Sequence, residues 1–181
     1  ITSDTCIVRN CYIHDMNDWG INSTGFYNLF ERNIITHVGK AGIEIDEEGN
    51  ETYHNTVFYP NAHGIHYKAG VAAGRVFNNI VVGANEGIRG KETIIAGFND
   101  LWLSSSDYTN GILDSAGGIF ADPLFTDTTA GDFSLQETSP CIDTALDIGY
   151  AYLGSAPDMG AIEFVRANQA PVITPVDSQV I

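Results

Sequence analysis

A chain of 181 residues, 44% hydrophobic, with 19 glycines and a net charge of −15 from 23 acidic and 8 basic residues, suits one β-rich domain plus an extension. The acidity excludes a general nucleic-acid binder, which needs a basic footprint to displace counterions from phosphates. No run of 18 or more apolar residues is present, so no segment reads as a membrane-inserted helix.

From its first residues the chain consists of short apolar runs separated by Gly, Asn and Asp. Asn10, Asn33, Asn55, Asn79 and Asn99 recur at steps of 23, 22, 24 and 20, and each precedes a run such as Ile34-Ile35-Thr36 or Ile80-Val81-Val82. In step with them, Gly-Ile pairs stand at Gly20-Ile21, Gly42-Ile43, Gly64-Ile65 and Gly87-Ile88, at steps of 22, 22 and 23. Runs of three to five β-branched or aromatic residues bounded by turn formers read as strands rather than helices. A fixed period of about 22 residues predicts stacked coils, strand upon strand in parallel. Asn tolerates the left-handed region and suits a sharp corner, and Asn residues at one height can bond to one another along the stack. Ile1 to Ile13 already read as part of a coil, which predicts that further coils precede them.

Three cysteines, at 6, 11 and 141, form no disulfide framework and no metal motif, and read as thiols, with a Cys6–Cys11 bridge across the Asn10 corner as the alternative in an oxidising compartment. The loop Asp46-Glu47-Glu48-Gly49-Asn50-Glu51 crowds oxygen ligands; Asp46 and Glu48 are the candidates there for Ca2+, against the plainer reading of a solvated acidic turn.

Coils fill residues 1–114, and from Ser115 the period stops. The phrases Ala121-Asp-Pro-Leu-Phe125, Gly131-Asp-Phe-Ser-Leu135, Ser139-Pro-Cys-Ile-Asp143 and Asp158-Met-Gly-Ala-Ile-Glu163 follow in order. They resemble the segment that closes the C-terminal end of secreted bacterial right-handed parallel β-helix proteins of the pectate-lyase-like superfamily. The resemblance implies an all-β, right-handed parallel β-helix of about five coils over 1–114, with an irregular cap over 115–164 that covers the last open rung with Phe120, Leu124, Phe125, Phe133 and Leu135. Asp122, Asp143, Asp158 and Glu163 read as turn formers within that cap. Residues 165–181, with Asn168-Gln-Ala-Pro-Val-Ile173, resemble the entry into a cadherin-like or fibronectin-like module, which implies a secreted or cell-surface protein with flanking domains.

Strand residues alternate in direction, so if each Gly-Ile isoleucine faces the core, the next residue faces out. This selects Asn22, Glu44, His66 and Arg89, and two positions further Thr24, Asp46, Lys68 and Lys91. Trp19, Tyr59 and His63 lie just before the same strand. Four of the eight basic residues, Lys40, Lys68, Arg89 and Lys91, fall on or beside it, and such focusing in an acidic chain suits an anionic ligand. The catalytic candidates are Lys68, Arg89, His66 and Glu44; the substrate-binding candidates are Asn22, Lys91, Trp19 and His63. The polysaccharide lyases of the resembling family place a Lys and an Arg one coil apart, as Lys68 and Arg89 are. That resemblance implies β-elimination on an acidic polysaccharide, with Lys68 or His66 as base and Arg89 stabilising charge. Two other functions fit the same pattern: a non-catalytic shaft or glycan-binding module whose outward charges pair across rungs, and a glycoside hydrolase using Glu44 and Asp46.

Overall fold

The computed structural model describes residues 1–110, 112–114 and 116–166. Its first coil is built from β1 (Ile7–Arg9), β2 (Tyr12–His14) and β3 (Ile21–Ser23), and its second from β4 (Leu29–Glu31), β5 (Ile34–Thr36) and β6 (Ile43–Ile45). The third holds β7 (Asn50–Tyr53), β8 (Thr56–Phe58) and β9 (His63–Tyr67), and the fourth β10 (Gly74–Phe77), β11 (Ile80–Val82) and β12 (Glu86–Arg89). In the fifth come β13 (Ile94–Gly97), β14 (Asp100–Trp102) and β15 (Ser106–Thr109), after which β16 (Leu113–Asp114) starts another rung. Equivalent strands pair in parallel, giving three sheets in the orders β1-β4-β7-β10-β13-β16, β2-β5-β8-β11-β14 and β3-β6-β9-β12-β15. The chain is therefore an all-β parallel solenoid of five coils with the expected period. The coil without a Gly-Ile pair is complete, with Tyr108 opposite Ile88.

Between the sheets Ile21, Ile43, Ile65 and Ile88 stack with Phe30, Ile35, Val57, Val81 and Leu101 into one core. The glycines before those isoleucines are required by space. A Cβ on Gly64 would stand 2.3 Å from Val81 Cγ1 and 2.5 Å from the Gly87 carbonyl oxygen, closer than packed atoms allow. Gly64 and Ile65 thus both face inward, so alternation breaks at this point and His63 and His66 both face out.

The corner between the first two sheets carries the asparagine ladder. Asn33 Nδ2 donates to Asn55 Oδ1, Asn55 Nδ2 to Asn79 Oδ1 and Asn79 Nδ2 to Asn99 Oδ1, each at 3.0 Å. The expectation that these asparagines take the left-handed corner is corrected. That conformation belongs to the residue before each one, namely Arg32, His54, Asn78 and Phe98, with φ between 51° and 63°. Asn10 is itself such a residue, at φ 55°. The ladder position of the first coil is Cys11, whose N–H donates to Asn33 Oδ1.

The segment after the coils does not simply close the last rung. Ile119 adds one bridge to Asp100, and the chain then turns through the antiparallel pair β17 (Phe125–Asp127) and β18 (Asp132–Leu135). It next runs back along the outward face of the second sheet, where Leu135, Cys141, Ala145 and Met159 pack on Ile80 and Val82. Phe133 meets Phe58 at 5.2 Å, and the Gly160 N–H reaches the Asn78 carbonyl at 2.8 Å. Phe120 stands half exposed, outside this packing. The physical reason is that the second sheet's outward residues are apolar and would otherwise face water. Asp122, Asp143 and Asp158 accept backbone N–H groups of Leu124, Ser155 and Phe164, as turn formers do. Cys6, Cys11 and Cys141 are free thiols, of which Cys141 alone is fully buried. The expected further module at 165–181 lies outside the described residues from 167 onward.

His54 locks this flank to the coils. Its Nδ1 lies 3.1 Å from the Asp158 carbonyl and its Nε2 2.9 Å from Asn78 Nδ2. A carbonyl accepts and an amide nitrogen donates, so only the neutral tautomer with a proton on Nδ1 fits. Burial, with Arg32 nearby, pushes His54 down to about 4. A depressed folded value means the unfolded chain binds the proton first, so this contribution is complete above about pH 6.5 and is lost as pH falls toward 4. Asp100 and Glu163, both pushed up to about 7 mainly by burial, act in the opposite sense. Comparison with a His54→Asn variant isolates the histidine. Between pH 7.5 and 4.5, wild type is expected to lose roughly 2 kcal/mol relative to the variant in urea unfolding. A difference independent of pH would refute this account.

Candidate active site

The third sheet aligns the outward column selected from the sequence. Asn22 is in register with Glu44, Glu44 with His66, and His66 with Arg89. Successive strands lie about 4.8 Å apart, so long side chains on neighbouring rungs touch. His66 Nδ1 is 3.3 Å from Glu44 Oε2, and Lys68 Nζ is 2.9 Å from Glu44 Oε1. Lys68 also donates to Asp46 Oδ2 at 3.0 Å, with Oδ1 at 2.9 Å. Asp46 and Lys68 lie one residue beyond the ends of β6 and β9, and Lys91 two residues beyond β12, so the second column stands at the strand exits.

His63, expected in the preceding turn, opens β9 itself. Its ring centroid lies 4.5 Å from that of His66. His63 Nδ1 is 2.8 Å from Glu86 Oε2, an ion-pair contact whose angle falls short of a hydrogen bond, and Arg89 donates to the same Glu86 oxygen at 2.6 Å. Glu86 is the residue the sequence reading missed. It precedes Gly87 just as His63 precedes Gly64 and Trp19 precedes Gly20, and the residue before each glycine is the signal that could have found it.

Electrostatics follow from this packing. For Glu44, burial acts to raise the carboxyl value, but the Lys68 hydrogen bond, the nearby Trp19 indole N–H, the Lys68 charge and His66 together hold it below the usual range. The Trp19 N–H is buried near that carboxylate without making a hydrogen bond of good geometry. Lys40 stands 4.0 Å over the Trp19 ring, which occupies one face of the expected stacking surface. Burial, then the neighbouring His63, holds His66 down; burial likewise lowers His63 against the pull of Glu86. Lys68 is raised by its hydrogen bonds to Asp46 and Glu44.

His66, Lys68, Arg89, Lys91 and Asn110 border a cleft of about 620 Å³. A larger groove of about 980 Å³ follows the turns between the second and third sheets, past Asn17, His37, Tyr59, Asn61 and Asn85. That groove is open and its acidic lining residue, Asp15, pairs with the exposed His14, whereas the smaller cleft gathers Lys68, Arg89 and Lys91 beside His66, so the chemistry points to the smaller cleft. Asp46 gives both carboxylate oxygens to Lys68, and Glu48 stands exposed on the following turn. A Ca2+ ion taken at that pair would compete with the Lys68 ammonium for Asp46.

A protein family described as right handed beta helix region matches residues 1–107. Among solved structures, one described as pectate lyase Pel9A matches at 14% identity and a TM-score of 0.33, covering 90% of this chain and 69% of its own. No curated protein matches this chain in sequence.

Proposed function

This chain belongs to the right-handed β-helix region family, and from that premise we propose that it is a carbohydrate-active module of a secreted or cell-surface protein, cleaving an acidic polysaccharide by β-elimination. The supporting observation is the cleft where Lys68, Arg89 and Lys91 gather beside a carboxylate-held imidazole in a chain of net charge −15. A uronate carboxylate entering the cleft takes the place of Glu86 on Arg89 and draws in Lys91, which neutralises it and acidifies the adjacent C–H. Glu44 holds Nδ1 of His66, leaving Nε2 to accept the C5 proton. The C–H electron pair becomes the C4=C5 double bond, the C4–O bond breaks, and the proton on His66 passes to the leaving oxygen. Lys68 already donates to Glu44 and Asp46, so it serves to orient Glu44 while His66 is the base. The same sharing argues against a hydrolase built on Glu44 and Asp46, since one ammonium contacts both carboxylates and no neighbour sets one apart as the acid.

The non-catalytic shaft is the alternative, favoured by the fact that Lys68 and Arg89 are each already paired within the chain. The assay that decides incubates the protein with alginate, pectate and chondroitin, with and without Ca2+, and follows ultraviolet absorbance of the unsaturated product. A rise on at least one uronate polymer is expected. Flat traces on all three, from a protein carrying any preceding coils, would leave the shaft reading.

A further inference from the structure

We propose that His63 and His66 together form a binding site for a divalent transition-metal ion such as Zn2+ or Ni2+, taken through their Nε2 nitrogens and backed by Glu86 and Glu44. The argument begins with the break in alternation at Gly64-Ile65, which puts both imidazoles on one outward face with ring centroids 4.5 Å apart. Imidazole is the common ligand for Zn, Cu and Ni, binding as the neutral ring with metal–nitrogen bonds of about 2.0–2.1 Å. Two rings bound to one ion must lie within a few ångströms of each other, as these do. Each ring also has a carboxylate at Nδ1, Glu86 for His63 at 2.8 Å and Glu44 for His66 at 3.3 Å. A carboxylate hydrogen-bonded at Nδ1, as Glu44 is to His66, fixes the Nδ1–H tautomer, leaves the Nε2 lone pair as the donor and raises its basicity, and beside His63 the Glu86 charge favours the same proton position through an ion-pair contact. Around the pair three carboxylates, Glu44, Asp46 and Glu86, offset three cations, Lys68, Arg89 and Lys91, so no net positive charge opposes a dication. Both rings are partly exposed, with side chains 21% and 15% accessible, which gives the ion an entry path. Among the described residues no third His, Cys, Asp or Glu completes a cage, so water or a ligand oxygen fills the remaining positions. The site does not rest on the elimination reading. It uses the same Nε2 of His66, so a bound ion and proton abstraction exclude each other.

Titration of the whole chain with ZnCl2 and NiCl2 by calorimetry tests this, with ring signals followed by NMR. One saturable ion per chain is expected, perturbing His63 and His66 and lost in either His63→Ala or His66→Ala. Glu86→Gln should weaken it by about tenfold or more while leaving both ligands in place. His14→Ala, on the exposed second sheet of the first coil, should bind as wild type. Should either histidine variant misfold, the Glu86→Gln result and the NMR assignment stand without it. Absence of saturable binding, or binding that survives His63→Ala, overturns the proposal whether or not the chain cleaves a polysaccharide.

Discussion

Replacing Asn55 by alanine is expected to destabilise the solenoid by about 3 to 5 kcal/mol, read as a lowered urea midpoint. The magnitude follows from what Asn55 joins. Its Oδ1 accepts the Asn33 backbone N–H and Asn33 Nδ2, both at 3.0 Å. Its Nδ2 donates to the Phe30 carbonyl at 2.9 Å and to Asn79 Oδ1 at 3.0 Å. Asn55 is fully buried, so no water replaces these partners, and an orphaned buried donor or acceptor costs about 1–3 kcal/mol. Relaxation of the neighbouring coils returns part of that sum. Asn61→Ala, at an exposed turn, is the comparison and should change stability by no more than about 0.5 kcal/mol. If the two variants melt alike, the ladder is not what holds this corner.

The second large effect concerns activity. His66→Gln should lower kcat for elimination by roughly 10² to 10⁴, the range of a lost general base, with little change in KM. Glutamine retains bulk and a polar end toward Glu44, so the fold should persist, and circular dichroism would check that. Arg89→Ala should instead raise KM as well, because that side chain is assigned to the substrate carboxylate. A His66→Gln protein as active as wild type would remove the imidazole from the mechanism.

Much of this architecture is legible in the sequence because a solenoid repeats its constraints. The Gly-Ile pairs mark positions where a Cβ has no room, so the period is written in sterics, and the outward column Asn22, Glu44, His66, Arg89 follows by counting. The asparagine series is read one residue out of register at its start, since Asn10 and the ladder asparagines satisfy different demands, a left-handed backbone in one case and an amide in the other. The path of residues 116–164 is not legible. Its apolar residues could cover either an end or a flank, and only the apolar outward side chains of the second sheet, Phe58, Ile80, Val82 and Trp102, decide for the flank. Glu86 is hidden for a different reason: strict alternation from the inward isoleucine turns the residue before the glycine inward, whereas the doubled inward step at the Gly-Ile pair turns it out. The side-chain pairings within the cleft, above all Lys68 shared between two carboxylates, depend on contacts between rungs that spacing alone does not order.

The doubled inward step at each Gly-Ile pair has a consequence for how such a surface can change. On the first, third and fourth rungs the side chain before the glycine and the one after the isoleucine both reach the surface, while the buried pair keeps the geometry constant. The outer face is in effect a two-letter register repeated every turn, whose letters can be rewritten independently of the scaffold beneath. The first, third and fourth rungs here spell Trp19 with Asn22, His63 with His66, and Glu86 with Arg89. A lineage could acquire or discard a chemistry on this face one rung at a time, and the fold would hardly register the edit.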